Sequence, residues 1–465
     1  MSPKENWMRG EKVIRDKKFY KFFMTLVVSL AFQNLLVYGV NLADNLMLGA
    51  YSEKALSGSA LCNQIQFLLQ MLVVGAGEGA VVLGSQYWGK KQYEPIVHII
   101  GVTLRFGVGI SAILFMIVFV APHQVLNLLT NDQAVITEGV KYLRIICFTY
   151  IIFTATNILT ASLRAIGIVT IGYMISASTL VINICLNSCL IYGRWGFPQL
   201  GIRGAAYATL VSRCVELIIV ILYLKYREHK LNLTLRKLIK IDTSYCRDYT
   251  KVSLPVLLNQ AQWGVAQMIQ TAVLGHLGAA AIAANSIAVI VFQVLSVVAY
   301  GAASASGITV GKTIGENNLD KLHDIVTTLQ VIFLGIGIIS GLLIYGVSTP
   351  ILRVYHISIE AATLAKQFMC VLAVTTVGTS YQMACDNGII RGGGDTSFSM
   401  KMNLISMWGI VVPCSCIAAF ILKMPPVVVF AILKSDQIYK TIPVVIHLRK
   451  WNWVKKVTRV EAEIV

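Results

Sequence analysis

The sequence predicts an all-α polytopic membrane protein, with twelve transmembrane helices arranged as two pseudo-symmetric six-helix lobes. Three observations lead there. Of the 465 residues, 56% are hydrophobic and only 13% charged, and the mean hydropathy is +0.70. About twelve apolar segments approach the roughly 20 residues that a helix needs to cross a bilayer. Short motifs also recur at one fixed offset. Open sheet edges and irregular loops cannot face lipid, so the segments are expected to be helices.

In chain order the segments begin near Phe22, Gly58, Ile96, Gly139, Gly172, Gly204, Lys251, Ala281, Leu322, Ala361, Met400 and Val427. The first carries an acid, Asp44, in the apolar stretch 29–49. By insertion scales a mid-membrane Asp costs about 2.5 to 3.5 kcal/mol, so it usually faces the bundle interior and marks an ion or substrate path. Asn34, Tyr38 and Asn41 precede it at helical spacing, giving one polar stripe. The competing reading is that Asp44 sits near a helix end and reaches water.

The residues before Lys21 include Lys4, Arg9, Lys12, Arg15, Lys17 and Lys18 but no apolar core with a small-residue cleavage site, so no signal peptide is expected. Basic residues cluster again at Lys225 to Lys251 and at Arg449 to Arg459. The positive-inside rule makes these segments and both termini cytoplasmic. A net charge of +17 is then a topology and anionic-lipid signal, with no nucleic acid partner.

The repeats pair Ser85 to Lys90 with Gly311 to Glu316, Leu163 to Gly167 with Ile390 to Gly394, and Leu48-Gly49 with Leu274-Gly275, all at an offset of about 226 residues. Such parallel repeats are found in transporters. They divide the chain into an N-terminal lobe (1–226), a basic linker (227–248) and a C-terminal lobe (249–465). Leu231, Leu233, Leu235, Leu238 and Ile241 suggest that the linker is an interfacial helix or strand.

Two stretches imitate a phosphate-cradling loop, Gly84 to Lys91 and Ser306 to Thr313. The first has Lys91 where a magnesium-binding Ser or Thr belongs, and the second has Ser306 in place of the leading Gly. Neither follows a strand. The seven histidines are dispersed without a nucleophile motif, so no enzyme and no cofactor is expected. Nine of the ten cysteines fall in predicted helices, as buried thiols do.

These features together resemble the MATE family of multidrug and toxin extrusion transporters, across essentially the whole chain. The stretch from Thr160 to Thr209 is the most specific, joined by Ala43-Asp44-Asn45, Gln86 to Gly89, Gly311 to Gly315 and Ile390 to Thr396. The resemblance implies two six-helix lobes around a central cleft and export of organic cations in exchange for sodium ions or protons, by alternating access. It also implies a coupling-ion site at Asp44, Asn183, Asn187 and Thr209. Ser176, Thr179, Asn183 and Asn187 do fall on one helical stripe, and their oxygens suit a hard cation. Alternatively they satisfy one another across helices.

Departures from the family pattern lie mostly in the second half. Ser29 stands where relatives carry a first-helix proline, and Gln260 and Asn403 stand where acids are frequent. Gln260, Trp263, Gln267 and Gln270 still form a stripe. With Asn34, Tyr38, Asn41, Asp386 and Asp436, the three glutamines are the candidate cavity groups for a small amphipathic or cationic substrate. Arg213 and Glu216 read as a structural pair, Lys434 could neutralise Asp436, and Asp386 could pair with Arg391. The expected protein is a multi-pass, monomeric cell-membrane antiporter. A lipid-linked-precursor flippase of the same superfamily is the alternative.

Overall fold

The protein is described by a computed structural model covering residues 13–459 except 229, 232, 234–236, 239–242 and 354–357. Lys4, Arg9, Lys12, His229, His356, and the linker residues Leu235 and Ile241 lie outside the described residues. Within them the helices of the first half are α1 (Lys17–Tyr51), α2 (Glu53–Gly89), α3 (Glu94–Val120), α4 (Pro122–Asn127), α5 (Gln133–Ile146), α6 (Thr149–Ala165), α7 (Thr170–Tyr192) and α8 (Ile202–Tyr226). The second half contributes α9 (Thr243–Gly275), α10 (Ala279–Leu295), α11 (Val297–Gly315), α12 (Leu319–Leu352), α13 (Ile359–Met383), α14 (Thr396–Leu404), α15 (Val412–Cys416), α16 (Pro426–Lys434), α17 (Asp436–Tyr439) and α18 (Thr441–Lys450). The β-structure among the described residues is a single bridge between Gly394 and Val454.

Each of the twelve expected segments is helical. Among the described residues, eight stretches are long and apolar enough to cross a bilayer alone, and counting each of two bent pairs, α5 with α6 and α10 with α11, as one span brings the number to ten. The other two are polar for a reason visible in the sequence. Gln260, Gln262, Gln267 and Gln270 dilute α9, and Lys434, Asp436 and Lys440 interrupt the last span, which is cut into α16, α17 and α18. α1 runs unbroken through Ser29, whereas α9 contains Pro255. The repeat is imperfect in its bends. α2 is one continuous helix, but its counterpart in the second half turns by 47° between Leu295 and Val297.

By packing, the described residues form two compact units. One comprises residues up to Ala31, Ser85–Lys91 and Ala261 onward; the other comprises Phe32–Gly84 and Gln92–Gln260. The core of the second-named unit gathers Leu69, Ile136, Leu143, Tyr150 and Ile158, all essentially inaccessible. In the first-named unit Phe368 and Phe430 stack at 4.1 Å within a core that includes Ile344, Met369 and Val429.

The two loop-like glycine motifs are helix crossings. A side chain on Gly89 would strike the Lys312 carbonyl, one on Gly315 would strike the Gln86 carbonyl, and Gly311 faces the Ser85 hydroxyl. Ser85 and Gly89 on α2 thus meet Gly311 and Gly315 on α11 as paired small-xxx-small surfaces, which let backbones touch.

Beyond α18 the chain forms a strap across this crossing. Trp453 is fully buried, and its indole donates to the Leu448 carbonyl at 3.1 Å. The Gln86 amide donates to the Lys455 carbonyl (3.1 Å) and accepts from the Val457 amide (3.0 Å). Lys90 donates to the Arg459 carbonyl at 2.9 Å. Asp395, in the turn before α14, accepts from Lys455 (2.8 Å) and lies 3.0 Å from the His447 ring, which stacks on Phe398 at 3.8 Å. Burial alone would push the Asp395 carboxyl up, but the hydrogen bonds from His447 and Lys455, with the charges behind them, hold it below the usual aspartate range.

A carboxylate depressed on folding contributes stability at pH values above its unfolded pKa, and that stability is lost as pH falls through the folded one. Asp395→Asn is therefore expected to lower stability at neutral pH by about 1 kcal/mol, the scale for a pair whose lysine is half exposed. The difference from wild type should vanish under acid below the ordinary aspartate range. Melting curves of the two proteins across pH test this.

Candidate functional site

Three helices of one compact unit build the site. α7 ends at Gly193, whose φ of 70° is the left-handed conformation that glycine adopts without strain. Gly204 on α8 lies against the Leu190 carbonyl, so α7 and α8 pack backbone to backbone. The Tyr192 hydroxyl donates to the Met47 carbonyl at 2.7 Å and fixes the end of α1 against α7, one turn beyond Asp44.

On this frame the four residues carried over from the family resemblance meet. The Asn187 Nδ2 donates to Asp44 Oδ1 at 2.5 Å and to Asn183 Oδ1 at 3.0 Å, and the Asn183 Nδ2 donates to Thr209 Oγ1 at 3.4 Å. Both asparagines are fully buried, and Asp44 is half-buried. With both Asn187 hydrogens committed, its Oδ1 is a buried acceptor with no donor. Such an atom is costly to leave unmade.

The other embedded acids of this unit are neutralised. Glu216 is bound by Arg213 at 2.8 Å and accepts from Thr179 Oγ1 at 2.6 Å, and Glu78 lies 3.3 Å from Arg164. Thr179 of the expected stripe thus serves Glu216 and not Asp44. Among the described residues no lysine, arginine or histidine nitrogen lies within ion-pair distance of Asp44. One negative charge, two amide carbonyls and a hydroxyl form a set of hard oxygen ligands, which fits a monovalent cation. A proton fits as well, since a protonated Asp44 would offer Asn187 Oδ1 a donor.

Asn34, Tyr38 and Asn41 lie on α1 in the three turns before Asp44, outside this chain of bonds, with Asn41 exposed. Along α9, Gln260 and Gln267 are half-buried, and Gln270 is buried and accepts from Lys434 at 3.0 Å.

Two pairings expected from the sequence are corrected. Asp436 is held by Lys440 at 2.7 Å and not by Lys434. Asp386, on a π-helical stretch (Ala384–Ile390), bonds Ser399 Oγ at 2.5 Å and Asn403 Nδ2 at 3.4 Å. Arg391 forms no ion pair with Asp386 among the described residues, and its Nε donates to the Asn387 carbonyl at 3.1 Å. Lys440 also donates to Asn403 Oδ1 at 2.9 Å. The spacing of Asp436 and Lys440, i and i+4, was the available sign.

Thr209→Ala and Asn183→Ala each delete one neutral oxygen ligand and leave the Asp44 charge. Each should weaken apparent ion affinity by about five- to tenfold, the scale of one hydrogen-bond-sized contact. An ion titration of purified variants measures it.

Comparison with known proteins adds the following. The family model described as MatE matches the chain twice, at residues 29–189 and 255–417. The matches start 226 residues apart, which is the offset of the repeated motifs. The probable multidrug resistance protein YoeA of Bacillus subtilis is 28% identical over 77% of this chain and 78% of its own length. The probable multidrug resistance protein NorM of Thermotoga maritima is 24% identical over 97% of this chain and 96% of its own. A solved transporter of the MOP superfamily from Pyrococcus furiosus superposes with a TM-score of 0.84 at 18% identity, covering 94% of this chain and 97% of that one. The MATE transporter VcmN of Vibrio cholerae, in its bent form, gives 0.82 at 17% identity, covering 92% and 96%.

Proposed function

The chain belongs to the MATE family of multi-span membrane transporters, and on that premise we propose that it is a secondary antiporter coupled through Asp44. It exports amphipathic or cationic small molecules in exchange for sodium ions or protons. The observation that carries this reading is the contrast among three embedded acids. Glu78 and Glu216 are ion-paired to arginines, while Asp44 has an amide hydrogen bond and no ion pair among the described residues, the nearby Arg213 being bound to Glu216. An acid in a membrane helix without an ion-paired cation of its own is poised to take one from solution.

Coupling follows from differential binding. An ion that binds Asp44 better in one conformation of the transporter shifts the population toward it, and a substrate favouring the other drives the ion off. The names of the curated relatives support multidrug-type efflux over lipid-linked-precursor transport. In this reading the lobes are residues 1–226 and 249–465, joined by the linker 227–248. The basic segments and both termini face the cytoplasm, and the protein works as a monomer in the cell membrane.

Purified protein in vesicles, loaded with a fluorescent organic cation, should extrude it when an inward sodium or proton gradient is imposed. Transport that ignores the collapse of both gradients would overturn antiport.

A further inference from the structure

We propose that Lys440 is a tethered cation, whose ammonium fills an oxygen-lined site in the C-terminal half that would otherwise hold a free monovalent cation. The ammonium is enclosed, with 7% of its side chain exposed, against 1% for Asp436. It therefore does not reach outward to water, as long basic side chains in membranes commonly do. It is held by a carboxylate oxygen (Asp436 Oδ2, 2.7 Å) and an amide carbonyl (Asn403 Oδ1, 2.9 Å). These are the ligand types found around Asp44, where no ammonium is present.

The surroundings are organised as a site. Gln437 Nε2 donates to both oxygens of Asp436, at 3.0 Å each, and orients the carboxylate. The Asn403 amide that gives its oxygen to Lys440 gives its nitrogen to Asp386, which is held from its other oxygen by Ser399. Removing the ammonium would leave two buried carboxylates on either side of one amide. Lys434 does not substitute for it, because its ammonium is bound to Gln270.

A tethered group competes with a dissolved one at the high effective concentration set by its linker, here four methylenes. Sodium in solution cannot displace it at ordinary concentrations. In combination with the antiport reading, on which this clause alone rests, Lys440 confines the coupling ion to Asp44.

The test is sodium-dependent thermal stabilisation of purified protein at fixed ionic strength with a potassium control. Asp44→Asn alone should show no sodium response. Asp44→Asn with Lys440→Met, or with Lys440→Gln, should acquire a saturable rise in Tm that disappears on adding Asp436→Asn. Lys440→Arg should acquire none. Folding of the charge-balanced Lys440→Met/Asp436→Asn pair reports whether the site tolerates the loss of volume and hydrogen bonds.

If the single Lys440 variants fold in sodium but not in potassium, the ion is replacing the ammonium. If they fold and respond to sodium no more than the Asp44→Asn parent, the proposal fails. It fails equally if they are unfolded in both salts while the charge-balanced pair folds. A wild type without any sodium response would count against sodium coupling at Asp44 but would leave the gain in the Lys440 variants to be read independently.

Discussion

Asp44→Asn is expected to abolish coupled efflux, reducing substrate movement to the rate of protein-free vesicles, while the protein still folds. The substitution keeps side-chain volume and removes the charge that binds an ion. Neutralising a membrane acid should, if anything, ease insertion. The Asn187 Nδ2 donor retains an oxygen partner, so the bonds linking α1 to α7 persist. Any ion-induced rise in Tm should disappear with the charge, since a ligand stabilises only by binding the native state. The measurement pairs vesicle efflux with melting over a sodium titration at several pH values. Exchange at the wild-type rate in Asp44→Asn would refute coupling at this residue, and a response to pH alone would assign protons in place of sodium.

The second large effect is structural. Gly315→Leu should destabilise the protein by about 3 kcal/mol or more, at the upper end of the overpacking scale. The new side chain would meet the main-chain carbonyl of Gln86, which cannot move without parting α2 from α11. Gly335→Ala on α12 is the matched control, because a methyl there meets nothing within 4 Å. Melting in the same detergent should separate the two; equal stability would mean that the crossing is more loosely packed than described.

The fold was legible because lipid leaves a chain few choices. Long apolar runs, basic flanks and a common offset located all twelve segments, including the two whose glutamines or charges weaken the hydropathy signal. In the N-terminal half, Asp44 drew attention because an acid in an apolar helix is rare, whereas Asn187, Asn183 and Thr209 were carried over from the family resemblance; hydrogen bonds join the four in the structure. What stayed hidden was set by long side chains and local backbone geometry. Lys434 and Lys440 both lie within a turn or so of Asp436, and although the i,i+4 spacing favours Lys440, only the structure shows Lys434 committed to Gln270 instead. The π-helical stretch that carries Asp386, whose side chain bonds Ser399, has no sequence signature. His447, one of the dispersed imidazoles, acquires its carboxylate partner from the turn that opens α14, 52 residues earlier.

The strap has a consequence for biosynthesis. Gln86 is separated from Lys455 by 369 positions in the chain, so at the usual rates of synthesis the end of α2 waits roughly 20 to 70 s for the segment that completes its hydrogen bonds. For the later part of that interval, once α11 has been made, the glycine contacts between α2 and α11 can form before these hydrogen bonds do. The bonds of residues 455–459 to Gln86, Tyr87 and Lys90 therefore form only after the last helix of the second half has been made.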